Sequence, residues 1–220
     1  MANIITAGNS TNGGTQITTD TSGTLNIVTG SGSGANAITI DASQVVTIPG
    51  NLTVTGTLTA SGGVSGGVTR ATAVTSTSGT SIDFTSIPSG VKRITVILSG
   101  VSTNGTSNMQ IQIGSGSVST SGYLGSYVQL ATGGNSVGAM TTGFMVSLVD
   151  ATAAQVGHAV ITNITGNVWV CSSMFGRTNQ NVVMNSAGNI SLGGVLDRVR
   201  ITTVNGTDTF DAGTINIFYE

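Results

Sequence analysis

Charged side chains are scarce in this 220-residue chain, which has six Lys and Arg, eight Asp and Glu and a formal net charge of −2. They make up 6% of the residues, against about 25% in an ordinary soluble protein. Without clustered Lys and Arg the chain has no field to attract phosphates, so nucleic acid is not an expected partner. The composition also differs from that of an ordinary cytosolic enzyme, whose solubility depends on a charged surface.

Metal ligands and long apolar runs are also lacking. The single cysteine, Cys171, cannot form an intrachain disulfide, and one histidine, His158, gives no paired metal ligands. We therefore expect no metal and no other cofactor. The segment Met1–Thr6 lacks the basic start and apolar stretch of a secretory signal, and no run approaches the about 18 apolar residues of a membrane span. These features predict a chain made in a cytoplasm and not inserted into a membrane.

Glycine, threonine, serine and valine take the place of the missing residue types, with 33 glycines in all. Thr and Val have branched β-carbons that suit a pleated strand and disfavour a helix. Apolar residues alternate with polar ones over much of the chain, which is the period of a β-strand with one buried face. The sequence therefore predicts an all-β protein.

The first 69 residues contain no basic and no aromatic side chain, and only two acids, Asp20 and Asp41. Their apolar residues form short bursts between turn formers such as Pro49-Gly50, which indicates very short strands. One or two aliphatics per strand, at about 1.5 to 3 kcal/mol each when buried, cannot offset about 1 to 2 kcal/mol of backbone ordering per residue. We therefore predict that residues 1–60 form a β-shaft intertwined in a homotrimer. Its shared core is expected to contain Ile48, Leu52, Val54 and Leu58.

A glycine-rich segment, residues 61–67, is predicted to be a hinge, because it has almost nothing to bury. Beyond it, residues 68–220 show longer strand patterns, so we predict an antiparallel β-sandwich of the jelly-roll type, here called the knob. About eight strands are expected, with one solvated face on the clearest of them. They lie near residues 94–98, 109–113, 123–130, 142–149, 156–165, 167–175, 198–202 and 215–219.

Two segments resemble proteins of tailed bacteriophages. Residues 79–95, GTSIDFTSIPSGVKRIT, continuing to Gly122-Tyr123, resemble a domain of virion surface proteins described as tail-fibre-like, and residues 50–59, GNLTVTGTLT, are similar to phage fibre shafts. The resemblance implies a trimeric component of the virion surface, made in the host bacterial cytoplasm. Residues 1–60 would then include the attachment to the virion. Capsid or tail proteins would be its partners.

The resemblance leaves two functions open. The short chain, its low charge and its few aromatic residues favour a capsid decoration or cement protein. The similarity to tail fibres favours a short fibre whose knob binds a receptor on the host surface, with a glycan as a candidate.

Catalytic groups are sparse. His158 has no carboxylate near it in sequence, and although triads assemble in space, we expect a packed or solvent-facing residue and no enzyme. Glycan hydrolysis needs two positioned carboxylates, and only Asp208 and Asp211 are close in sequence. Both are bounded by glycines in what resembles a hairpin connection. A turn role is expected there, with a weak Ca²⁺ site as the alternative.

Receptor binding would draw on exposed aromatic residues, because these stack on sugar faces. The candidates are Tyr123, Tyr127, Trp169 and Phe175. Trp169 alternates with valines and is expected in the core, and the adjacent Cys171 is expected to be buried. Tyr123 and Tyr127 lie among Gly and Ser, so they are the better candidates for exposure and receptor contact, although a structural role is favoured over receptor contact for both.

Overall fold

The computed structural model describes residues 25–28, 36–40, 43, 45–48, 67–147 and 150–220. Every regular element among them is a β-strand, and every strand pair is antiparallel. The all-β prediction is therefore confirmed for this part of the chain. The same residues contain no helix that is long and apolar enough to cross a membrane. The chain divides into two compact units, Met1–Gly62 and Gly63–Glu220.

The first unit contains a small antiparallel sheet of three strands in the order β1-β2-β3. The strands are β1 (Leu25–Val28), β2 (Asn36–Ile40) and β3 (Val46–Thr47). Each coincides with one of the short apolar bursts of the sequence. Of the four residues expected in a trimer core, Ile48 is partly exposed directly after β3. Leu52, Val54 and Leu58 lie outside the described residues.

The second unit is built from two sheets. The larger, nine-stranded sheet has the order β11-β10-β15-β14-β13-β7-β17-β4, with β5 also pairing with β17. Its strands are β4 (Thr69–Arg70), β5 (Val74–Thr75), β7 (Arg93–Thr103), β10 (Leu124–Ala131), β11 (Ser136–Met140), β13 (Gln155–Thr165), β14 (Val168–Arg177), β15 (Val182–Ser191) and β17 (Phe210–Tyr219). The smaller sheet has the order β12-β8-β16-β6, with β9 pairing with β8. Its strands are β6 (Ser81–Phe84), β8 (Met109–Ser115), β9 (Ser117–Val118), β12 (Phe144–Ser147) and β16 (Arg198–Thr203).

Apolar residues from both sheets form a single buried cluster. On β7 the predicted alternation is present, since Ile94, Val96 and Leu98 are buried while Thr95 and Ile97 on the other face are partly exposed. Trp169 and Cys171 also lie in the core, as expected. Both sheets therefore place one face against a common core.

The turn before β7 contains Pro88 and Gly90. Gly90 has a φ of 95°, a conformation open to glycine at little cost. Lys92 and Arg93 are exposed at the start of β7. Arg93 pairs with Glu220 at 2.6 Å, so the basic pair belongs to a solvated strand end.

Two predictions about the strands are wrong. Strand β8 was expected to have one solvated face, but Gln110 and Gln112 are buried along with its apolar residues. Both amides bond to Thr142, in the loop that covers this face. The segment around Asp208 was expected to be a hairpin connection, yet β16 and β17 belong to different sheets. Residues 204–209 therefore cross from one sheet to the other.

Candidate functional site

Three of the four aromatic candidates lie in the core. Tyr123 is 1% exposed, and Trp169 and Phe175 are also buried. The expectation that Tyr123 is exposed is therefore wrong. Its ring meets Phe144 edge to face, with the centroids 5.0 Å apart, and its hydroxyl bonds to Ile113 on β8. Burial raises the pKa of Tyr123 well above its ordinary value.

Tyr127 is the one candidate that keeps part of its surface accessible. It packs against the core cluster. Its ring covers Gly138 on β11, where an added β-carbon would lie 2.3 Å from the phenolic oxygen. A ring that packs against the core and against a neighbouring strand leaves little of its surface for stacking on a sugar. The structure therefore gives no aromatic stacking platform among these four residues.

The broadest exposed apolar surface lies on the larger sheet, on the side away from the core. Met184, Ser186 and Ile190 of β15 are buried, so the residues between them point outward. Residues directly opposite on neighbouring strands share a face, and the register extends this outer face from β11 to β13. Its apolar members are Leu124, Val128, Leu130, Val137, Ala139, Val156, Val160, Val168, Val170, Met174, Val183 and Ala187. We call this surface the outer face.

The outer face carries no formal charge. Its polar members on these five fully described strands are His158 and the uncharged residues Ser126, Thr162, Thr165, Ser172, Asn185, Asn189 and Ser191, and none is Asp, Glu, Lys or Arg. Some of its side chains protrude strongly, since Val137 is 79% exposed and Met174 57% exposed. An antiparallel sheet with one solvated side ordinarily has polar residues there. The outer face therefore has the chemistry of a contact surface.

Two shallow depressions lie along this face. One, of about 390 Å³, is lined by residues of β10, β11 and β15 that include Val128, Val137 and Ala187. The other, of about 590 Å³, lies towards one end of the strands and is lined by residues that include Leu130 and Val183, together with Arg177, whose charge is paired with that of Asp150. The face thus offers recesses as well as protruding side chains.

A polar pocket of about 270 Å³ lies on the smaller sheet. It is lined by Thr80, Ser81, Gln110, Gln112, Thr120, Thr142, Arg200, Thr202, Thr203, Val204, Asn205 and Gly206. The Arg200 guanidinium donates to both carboxylate oxygens of Asp83, at 2.7 and 2.9 Å. These hydrogen bonds raise the pKa of Arg200 and fix its orientation. The pocket is therefore lined by hydroxyls, by two buried amides that bond to Thr142, and by a guanidinium whose orientation is fixed by Asp83.

The carboxylates of the described residues are engaged with other groups. Asp208 accepts hydrogen bonds from the backbone N–H of Ser107 at 2.8 Å and from Asn205 at 2.6 Å. Asp211, which lies within β17, accepts one from Ser102. In the described part of the chain, no group of three or more His, Cys, Asp or Glu residues could hold a metal ion. The arrangement gives Asp208 a role in fastening the crossover between the sheets.

The remaining reactive side chains are separated. His158 is exposed on β13, opposite Met174 and Ile97 on the neighbouring strands. Cys171 is buried, and burial raises the pKa of its thiol to about 12. A thiol with such a pKa holds little of the nucleophilic thiolate near neutral pH.

The sequence analysis did not identify the outer face or the polar pocket. Each brings together strands that are distant in sequence, such as β10 with β15 and β8 with β16. Comparison of the chain with protein-family models, with curated proteins and with solved structures found no match.

Proposed function

We propose that this chain is a non-enzymatic structural protein of a tailed-phage virion, a homotrimeric surface spike that decorates the capsid and stabilises it. The observation that carries the proposal is the outer face, because a broad, uncharged apolar surface is typical of proteins that work in an assembly. Residues 1–60 would form the intertwined shaft and attach to the virion. The two-sheet unit would be the jelly-roll-like knob, and the virion surface would be its location.

The resemblance of residues 79–95 to phage virion proteins supports the same function. These residues form β6, the turn at Gly90 and the start of β7, and Ile82, Phe84, Ile87 and Ile94 within them are buried. Their pattern therefore serves packing and a turn, which fits a structural domain. The engaged carboxylates of Asp83, Asp150 and Asp208 support a function without catalysis.

The location on the virion can be tested by electron microscopy. Intact virions would be labelled with an antibody raised against residues 68–220. Regularly spaced label over the head is expected for a decoration protein. Label on the tail alone would indicate a tail fibre instead of a decoration protein. The absence of label from both head and tail would refute a virion-surface function.

The polar pocket supports one alternative, a short tail fibre whose knob binds a host-surface glycan. Amides, hydroxyls and an oriented guanidinium can exchange hydrogen bonds with sugar hydroxyls, which is how a few well-placed polar groups give specificity. In a fibre, Gln112→Ala or Arg200→Ala would abolish adsorption of phage to host cells without changing the trimer. Tyr127→Phe is the matched control, because the alternative assigns no sugar contact to the Tyr127 hydroxyl. Unchanged adsorption of both pocket variants would contradict this alternative.

A further inference from the structure

We propose that the outer face of the larger sheet is covered by a second copy of this chain, so that the knobs as well as the shaft hold the assembly together. The inference rests on the proposed homotrimer and names the surface through which its second unit associates. It concerns the five strands β11, β10, β15, β14 and β13.

The size of the face suits a stable contact. Strands in a sheet lie about 4.8 Å apart and rise about 3.3 Å per residue, so five strands of about eight residues cover about 600 to 700 Å² in projection. A specific protein interface of standard size takes about 800 Å² of accessible surface from each partner. The largest apolar patch on an ordinary monomer is about 300 to 600 Å². The outer face is thus close to the area that one partner contributes to a stable complex.

Charge argues for a copy of the same chain as the occupant. A charged partner would have to bury its own charges against a surface that offers no opposite charge, at a large cost in hydration. An identical outer face brings no charge into the contact. Its Ser126, Ser172 and Asn185 can form hydrogen bonds with the same residue types on the neighbour. The face is therefore electrostatically complementary to itself.

The shape of the outer face also favours a second copy of this chain as its partner. Val137, Leu124 and Met174 protrude from the face, while the depressions of about 390 and 590 Å³ recede beside them. Side chains that fill well-packed recesses of the partner contribute most to the stability of an interface. Around the three-fold axis of a trimer the contact between neighbours is heterologous, so protrusions on one part of the outer face can enter recesses on a different part of the next copy's outer face.

Thiol labelling of the purified full-length protein tests this contact. Met174→Cys places a thiol on the outer face, and Val195→Cys places one in a loop outside it. The native side chains have nearly the same exposure within one chain, 57% and 58%. The native Cys171 is buried with a raised pKa, so it contributes little background.

At micromolar concentration and above, we expect maleimide to modify Met174→Cys at least about tenfold more slowly than Val195→Cys, because a covered thiol reacts only in the dissociated fraction. Dilution should reduce the difference between the modification rates of the two variants. Should the complex persist on dilution, sedimentation must show a multiple of the chain mass. Because only this chain is present in the sample, protection would identify a second copy as the occupant.

Equal labelling rates at every concentration would overturn the inference, and so would protection in a sample that sediments as a monomer. Val137→Cys provides a second position on the face if Met174→Cys alters folding, with the same expected and contrary results. These outcomes are separate from the microscopy. If maleimide modifies the outer face freely while the antibody still binds to virions, only this contact is refuted. If the thiol is protected from maleimide but the antibody binds nowhere on the virions, the virion function is refuted and the contact remains.

Discussion

The Tyr123 hydroxyl bonds to a single residue of β8. It accepts from the Ile113 N–H at 2.8 Å and donates to the Ile113 carbonyl at 3.3 Å. Tyr123→Phe would leave that buried N–H without this partner, so we expect the free energy of unfolding to fall by about 1 to 2 kcal/mol. Denaturant titration measures the change. The trimer mass and phage adsorption should stay the same, and lost adsorption with unchanged stability would restore Tyr123 as a receptor contact.

Asp150 and Arg177 form the least exposed of the described ion pairs, with the carboxylate and guanidinium 3.0 Å apart. The Arg177 side chain is 6% exposed and the Asp150 side chain 23% exposed. Hydrogen bonds from Gln180 and Thr152, together with the charge of Arg177, hold the pKa of Asp150 below its ordinary value near 3.8. A lowered carboxylate pKa stabilises the folded state above the ordinary pKa. That contribution is lost as the pH falls through the folded-state pKa.

Asp150→Asn is therefore expected to lower the free energy of unfolding by about 2 kcal/mol at pH 7, because the Arg177 guanidinium loses its ion pair with Asp150. The difference from the parent should shrink below about pH 4, as the parent carboxylate becomes protonated. Urea titrations from pH 7 to pH 3 would measure it. Asp197→Asn removes an exposed pair with Arg198 and should change stability much less. A constant difference across this pH range would contradict the assignment.

At the scale of elements, the pairing of β7 with β17 is interrupted by two register shifts, between Phe210 and Ala212 and between Ala212 and Thr214. Gly100 and Gly213 lie at this irregularity, with φ of 65° and 98°. A β-carbon on Gly213 would lie 2.5 Å from the Gly100 carbonyl oxygen and 2.6 Å from the Val101 Cα. Glycine is therefore required at Gly213 by both conformation and space.

Gly213→Ala is expected to lower the free energy of unfolding by about 2 to 4 kcal/mol, because strain and a backbone clash add together. Gly206→Ala is the matched control, since Gly206 also has a positive φ, 68°, but no atom within 4 Å of an added β-carbon. It should cost about 1 kcal/mol. Thermal unfolding followed by circular dichroism compares the stabilities of the two variants. Equal losses of stability would mean that the close approach of β7 and β17 adds nothing to the cost of the substitution at Gly213.

The elements also show what the sequence could and could not predict. Strand β7 was predictable because its alternating aliphatics are a local signal. Strand β15 was missed because Asn185, Ser186 and Gly188 interrupt its apolar pattern, although Ser186 is held in the core by bonds to Ser173 and to the Met145 carbonyl. The outer face was not predictable, since it depends on the long-range pairing of β10 with β15.

At the scale of the whole molecule, the buried cluster and the apolar residues packed against it all come from the second unit. A compact unit that holds a buried cluster of this size should support its own folding. The glycine-rich segment 61–67 and the composition change after it predicted a boundary in this part of the chain, whereas the two sheets of the second unit depend on contacts between distant strands.

A fragment of residues 63–220 is therefore expected to fold and to unfold in one cooperative step. The only tryptophan, Trp169, reports this directly, because its indole is buried without a hydrogen-bond partner. Its fluorescence should be blue-shifted in the native fragment and should shift to longer wavelength in denaturant.

The mass of the folded fragment distinguishes two sources of assembly, the outer face and residues 1–62. A fragment that self-associates, and that Met174→Asp but not Val195→Asp turns into a monomer, would place part of the assembly energy on the outer face. A folded fragment that stays monomeric at high concentration would leave residues 1–62 as the source of the trimer, with Leu52 and Val54 the residues to replace next. A fragment whose tryptophan is already exposed to water without denaturant would contradict the independence of the second unit.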